Sequence, residues 1–180
     1  KNSSIKNYIK TFKDLKKINK HRGPDSIKLS INDNYLILFR RLSIIDTSDN
    51  ADQPFESLDK KLRVIFNGEI YNYVEIRKFL KEKKIKFNTS SDTEVILKAY
   101  EYWGISFVKK LRGMFSIAIF DDYLKKVFFI RDPLGQKPFF YTYINKTLLI
   151  SSEIKDLIYI LKKKKVKIYE QNNTVFKYLL

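Results

Sequence analysis

Two pairs of short apolar runs fix the direction of the sheets this chain can build. Met114–Phe120 and Lys126–Ile130 are strand-sized and are joined through the polar Asp121, Asp122 and Tyr123. Phe139–Tyr143 and Leu148–Ser151 are joined through Asn145 and Lys146. Runs this close in sequence fold back on one another as antiparallel hairpins, because a parallel pair needs a crossover of a dozen or more residues. Further strand-like segments precede them at Tyr35–Phe39, Leu42–Ile45 and Leu62–Phe66, and the polar stretch Thr47–Lys61 reads as a loop. Strands therefore come in two batches with helices between, which predicts an α+β chain of antiparallel sheets with segregated helices.

The helices are legible from their spacing. Ile5, Tyr8, Ile9, Phe12, Leu15 and Ile18 recur at helical intervals between lysines, and the pattern stops before His21–Asp25, where Gly23 and Pro24 break a helix. Asn72 with Glu75 has the form of a cap and its capping-box partner, and Ile76, Phe79 and Leu80 would be the buried stripe of the helix that follows. Ser91–Glu94 opens another helix, carrying Val95, Ile96, Ala99, Tyr100 and Trp103 and closed by Gly104. A further helix runs from Glu153 to Leu161, and a helical pattern begins again at Thr174.

A chain of 180 residues, 44% hydrophobic and 31% charged, is of a size and balance to bury one core without staples. It contains no cysteine and one histidine, His21, which excludes disulfides, cysteine or histidine-rich metal sites and a cysteine nucleophile within these residues. No apolar run approaches the length of a membrane span, and the first residues lack the apolar core of a signal peptide. The net charge of +16 invites a nucleic-acid partner. Against that, 29 lysines face 7 arginines, the lysines are scattered in pairs, and only Lys162–Lys165 forms a run. Base and phosphate readers favour arginine forks, so the charge is read as a solvated surface with neither nucleic-acid nor membrane partner.

Five segments place polar, turn-forming groups at strand ends. His21–Asp25 holds a histidine beside Arg22 and Asp25, a candidate base or a turn held by an Arg–Asp pair. Arg41 sits inside a strand pattern, where a buried guanidinium needs an anion: a ligand carboxylate or an internal salt bridge. Asn67 and Gly68 end a strand, and an amide with a neighbouring N–H can build an oxyanion hole or simply a turn. Asp92 is a helix cap or an acceptor for an ammonium group. Arg131–Pro138 reads as a structured connection in which an Arg–Asp pair is architectural.

The order of these segments is more specific than any one of them. His21–Asp25, Arg41–Asp46, Phe66–Tyr73, Ser91–Glu94, Gly113–Phe115, Arg131–Gly135 and Ser152–Lys155 together resemble the glutaminase domain of glutamine-hydrolysing asparagine synthetases. The resemblance implies an N-terminal-nucleophile hydrolase fold, two stacked antiparallel sheets between helical layers (αββα). It implies a glutaminase acting on L-glutamine, with no cofactor or metal of its own. A C-terminal synthetase domain, which binds ATP and magnesium, would use the ammonia to amidate aspartate in the cytoplasm. Residue by residue, it implies that Arg41 holds the α-carboxylate and that the backbone at Ile44 and Ile45 lines the same pocket. Asn67 and Gly68 would form the oxyanion hole, and Glu69 and Asp92 would receive the α-ammonium. The family's nucleophile is an N-terminal cysteine on a short strand, absent here, and its synthetase domain is absent too. The expectation is a sequence truncated at both ends and inactive by itself. Residues 1–161 would be the glutaminase domain, and residues 162–180 a basic linker and the start of the synthetase domain. The alternatives are a non-catalytic binding or regulatory module of the same fold, and the glutaminase of a synthetase that amidates another carboxylate.

Overall fold

In a computed structural model of the chain, residues 3–18, 23–31, 34–42 and 45–169 are described. The chain divides into two compact units, one running to Phe139 and the other starting at Phe140. The first unit opens with helix α1 (Ser3–Ile18), followed by the antiparallel hairpin of β1 (Ser26–Ile31) and β2 (Leu36–Arg41). A 3-10 turn at Asp49–Ala51 leads to β3 (Phe55–Glu56) and β4 (Leu62–Ile70). Helices α2 (Tyr73–Glu82) and α3 (Asp92–Trp103) come next, then a 3-10 segment, Gly104–Lys110, and the hairpin of β5 (Gly113–Asp121) and β6 (Lys126–Arg131). Strands β3 to β6 form one antiparallel sheet in the order β3-β4-β5-β6.

The core follows from strand alternation. Leu62, Val64 and Phe66 of β4 and Phe115, Ile117 and Ile119 of β5 are buried at every second position on one face of the sheet. Val95, Ile96, Leu97, Ala99 and Tyr100 of α3 close over that face, and Ile76, Leu80 and Phe107 complete the cluster. Tyr8 and Leu15 of α1 are buried, as is Ile37 of β2. Arg40 ties the end of α1 to the hairpin, donating to the Lys16 and Gly23 carbonyls. In the second unit, β7 (Phe140–Ile144) pairs with β8 (Thr147–Ser151), and α4 (Ile154–Lys163) buries Leu157 and Ile160.

The α+β class with antiparallel sheets is as the sequence predicts, and both C-terminal hairpins form where expected. Among the described residues the strands divide into one sheet of four and two of two. Four local expectations need correction. Leu42–Ile45 is not a strand where it is described: β2 runs on through Arg41 and ends there. Ser26–Ile31, too polar to stand out, is the strand that pairs with it. Asn72 does not cap α2 with its side chain. Its amide donates to the Lys110 carbonyl (2.9 Å) and accepts from the Arg112 N–H (2.8 Å), fastening the helix start to the segment before β5. Phe79 is 38% exposed and stacks on Trp103 at 5.3 Å, since the two residues at the helix-period positions beside it, Ile76 and Leu80, already fill the interior. His21, Arg22 and the tail from Thr174 lie outside the described residues. Among those described, no helix is long and apolar enough to cross a membrane.

Candidate functional site

The site is organised by the open edge of β4. Along an antiparallel strand, successive N–H groups point to opposite edges. The odd-numbered positions of β4 face β5, and just past the strand the Tyr71 N–H continues that row, donating to the Arg112 carbonyl (2.8 Å). The even-numbered positions face the other edge, which β3 covers only opposite Val64 and Arg63. It goes no further than Phe55. Side chains take over from there. The Phe66 N–H donates to Gln53 Oε1 at 2.6 Å, and the Ile70 N–H donates to Asp92 Oδ2 at 3.3 Å. Between these two anchors, by the same alternation, the Gly68 N–H points to that edge.

Gly68 itself has φ of +149°, and a Cβ there would come within 2.1 Å of the Met114 carbonyl and 2.7 Å of Phe115 Cα. Only glycine fits so close an approach. Asn67 and Glu69 flank it, on the face of the sheet opposite Val64 and Phe66. The sheet behind is held by Asp132, which accepts from the N–H groups of Phe115, Leu134, Gln136 and Lys137. Phe115 is the residue that pairs with Gly68. Burial raises the Asp132 pKa and those donors outweigh it, so the carboxyl sits below the usual range. Arg131 instead donates to the Lys137 and Gly135 carbonyls, so this segment is architectural without the two charges pairing.

Asp92 is the first residue of α3, and the cap is Ser91, whose hydroxyl accepts from the Glu94 N–H (3.2 Å). Asp92 is therefore left for the edge of β4. Burial, helped by the charge of Glu69, outweighs its backbone hydrogen bonds and raises its pKa to about 6. The helix start is rigid. Glu94, 1% exposed, accepts from the N–H groups of Asn88 and Thr89, and Arg77 donates to the carbonyls of Thr89 (2.6 Å) and Ser91 (2.7 Å).

Arg41 is buried at the end of β2, and its guanidinium closes the loop that follows. It donates to the carbonyls of Ser48 (2.7 Å) and Asp46, and to Asp52 Oδ1 (2.8 Å). Of the two partners that the sequence left open, the internal salt bridge is thus formed with Asp52. The loop then carries Arg41 into the network. The Asp46 carboxylate accepts from the N–H and hydroxyl of Ser48 and of Ser90, two residues before Asp92. Those bonds, the Ser48 hydroxyl foremost, hold its carboxyl well below the usual range. Gln53 grips both sides, accepting from Phe66 and donating to Thr93 Oγ1 at 3.3 Å.

The structure thus brings Asn67, Gly68, Glu69 and Asp92 together at one strand edge. Arg41 joins them through the loop 45–54, with no hydrogen bond from Arg41 to these four among the described residues. Ile45 is half-buried at the start of that loop, and Ile44 lies outside the described residues. Sequence reasoning missed Gln53 and Asp52, which fell in the stretch Thr47–Lys61 read as a loop, and gave no role to Asp46, the last residue of the Arg41–Asp46 motif. That polar, aperiodic stretch held no local signal for them. Of two clefts, one of about 590 Å³ lined by Ser57, Leu58, Tyr100, Asp121 and Tyr123 holds none of the predicted residues. The other, about 510 Å³, is lined by Tyr73, Arg77, Phe87 and Ser90 and shares Asp46 with the network. Among the described residues no cluster could hold a metal ion.

Comparison with known proteins agrees with this architecture. The glutamine amidotransferase domain family matches residues 2–180. Asparagine synthetase [glutamine-hydrolyzing] 1 of Bacillus subtilis is 43% identical over 147 residues, covering 82% of this chain and 23% of that protein. Asparagine synthetase [glutamine-hydrolyzing] 2 of the same organism is 47% identical over 137 residues, covering 76% of this chain and 18% of that protein. The chain thus spans less than a quarter of the length of these relatives. The structure of glutamine phosphoribosylpyrophosphate amidotransferase from B. subtilis, complexed with ADP and GMP, superposes with a TM-score of 0.60. It is 22% identical and is matched over 69% of this chain and 29% of that one, a likeness of fold.

Proposed function

From the premise that this chain belongs to the glutamine amidotransferase domain family, we propose that it is the glutamine-binding glutaminase part of an asparagine synthetase. The observation that carries the reading is the row of N–H groups on the open edge of β4. Phe66 and Ile70 are held by Gln53 and Asp92, and Gly68 between them points to the same side. An N–H fixed in that way, beside the Asn67 amide, is the donor pair an oxyanion needs, and loss of one such donor costs about 3 kcal/mol of transition-state stabilisation.

In this proposal glutamine lies along that edge. Arg41 takes the α-carboxylate, with the backbone at Ile44 and Ile45 beside it, and Glu69 and Asp92 take the α-ammonium. Opposite charges at the fixed end separate glutamine from a generic amide. A thiolate attacks the side-chain amide carbon, and Asn67 and Gly68 stabilise the resulting oxyanion. Its collapse, with a proton delivered to the amide nitrogen by the nucleophile's own α-amine, expels ammonia, and water then releases glutamate from the thioester and restores the thiol. None of these 180 residues is a cysteine, so the chain by itself binds glutamine without hydrolysing it. Residues 1–161 form the glutaminase domain, and residues 162–180 lead to a synthetase domain that uses ATP and magnesium to amidate aspartate in the cytoplasm.

The test joins this chain to an N-terminal cysteine segment and a C-terminal synthetase domain. Arg41→Lys keeps the charge and loses the fork. It lowers asparagine formation from glutamine and spares formation from supplied ammonia, which bypasses the pocket. Equal loss of both would assign Arg41 to the fold alone.

A further inference from the structure

We propose that Asp52 is an internal competitor for the Arg41 guanidinium, which the α-carboxylate of glutamine must displace on binding. The inference rests on the assignment of Arg41 to that carboxylate and adds a residue that sets how tightly it is held. The side chain of Arg41 is 9% exposed, and a guanidinium so buried cannot stand without a counter-ion. Asp52 is that counter-ion. The Arg41 amino group that meets it has two hydrogens, and they go to Asp52 Oδ1 and the Ser48 carbonyl. The second amino group meets the Asp46 carbonyl. The fork between the two amino groups, one of the two through which a guanidinium receives a carboxylate, is therefore already filled by the loop.

The three acceptors are not equally free to leave. Ser48 and Asp46 are bound to each other through the Asp46 carboxylate, which is also fastened to Ser90. Among the described residues the Asp52 side chain has one other anchor, the Ser26 hydroxyl, which donates to the same Oδ1 at 3.2 Å. Its side chain is 22% exposed, so on release it passes readily to water. Exchange of one carboxylate for another also keeps the buried charge compensated throughout, which makes Asp52 the acceptor that yields. An amide in its place keeps the shape and an oxygen for Ser26, and competes far less for the guanidinium.

The experiment is a calorimetric titration of the 180-residue chain with L-glutamine and with 4-aminobutanamide, which is glutamine without its α-carboxylate. Asp52→Asn is expected to tighten glutamine on the order of tenfold, the scale of a close charge pair, and to leave 4-aminobutanamide unchanged. Should Asp52→Asn fail to fold by circular dichroism, Ser26→Ala removes only the second anchor and is expected to tighten glutamine roughly threefold. Unchanged or weaker glutamine binding in the folded variant overturns the competitor. The assignment of Arg41 fails separately, if the unsubstituted chain binds the two ligands equally. A chain that binds no glutamine in any form overturns both.

Discussion

Asp92→Asn should make the folded chain more stable at neutral pH while removing an acceptor for the substrate ammonium. Asp92 is 7% exposed and its pKa is raised to about 6, burial being the largest cause. Relative to an ordinary carboxyl near 4, folding then disfavours the ionised form by about 3 kcal/mol. The sign follows from proton binding. Between about pH 4 and pH 6 the folded state keeps a proton that the unfolded chain has released, so this contribution to stability is full below about pH 4. It is lost as pH rises to about 6 and constant above. Asparagine keeps an oxygen for the Ile70 N–H and carries no charge, but its NH₂ needs a partner. That reduces the gain to about 1–3 kcal/mol at neutral pH. Urea unfolding of both proteins at about pH 4 and about pH 7.5 measures it. The stability gap should be small at the acid end and open by about pH 6. Glutamine binding should weaken at the same time. A gap of equal size at both ends would refute the argument, and so would a variant less stable than its parent at neutral pH.

Gly68→Ala forces a Cβ against the Met114 carbonyl and should lower stability by about 3–4 kcal/mol in urea unfolding, with loss of glutamine binding. Gly113→Ala, whose Cβ would meet the Glu69 carbonyl at 2.1 Å across the same pair of strands, should cost a similar amount. Gln53→Leu leaves the buried Phe66 N–H without its acceptor and should cost about 2–4 kcal/mol, visible as a lower melting temperature and faster exchange of the Phe66 amide. Asn72→Ala should cost about 1 kcal/mol with no loss of helix by circular dichroism, because its side chain ties α2 to Lys110 and Arg112 and does not cap it.

The sequence by itself determined what depends on near neighbours along the chain. Period-two burial in β4 and β5, and the i,i+4 burial of Ile76 and Leu80 in α2, follow from side-chain geometry. The two C-terminal hairpins follow from turns too short for anything else, and Ser91 caps its helix from a purely local pattern. The ordered motifs also carried the family and with it Asn67, Gly68, Glu69 and Asp92, which lie at one strand edge.

Only the tertiary structure decided where side-chain hydrogen bonds go over long separations, because competing partners of equal chemistry lie far apart in sequence. Asn72 has the composition of a cap, yet its amide finds Lys110 and Arg112. Asp92 has the composition of a cap too, but Ser91 occupies that place and leaves it for Ile70. The loop from Asp46 to Gln53 has no periodicity to read. Its order comes from Arg41, Ser90, Phe66 and Thr93, each brought to it by a different element. A buried guanidinium told the sequence reader that an anion must be near. That Asp52 is the one which meets it depends on the path of the loop, and no local rule specifies that path.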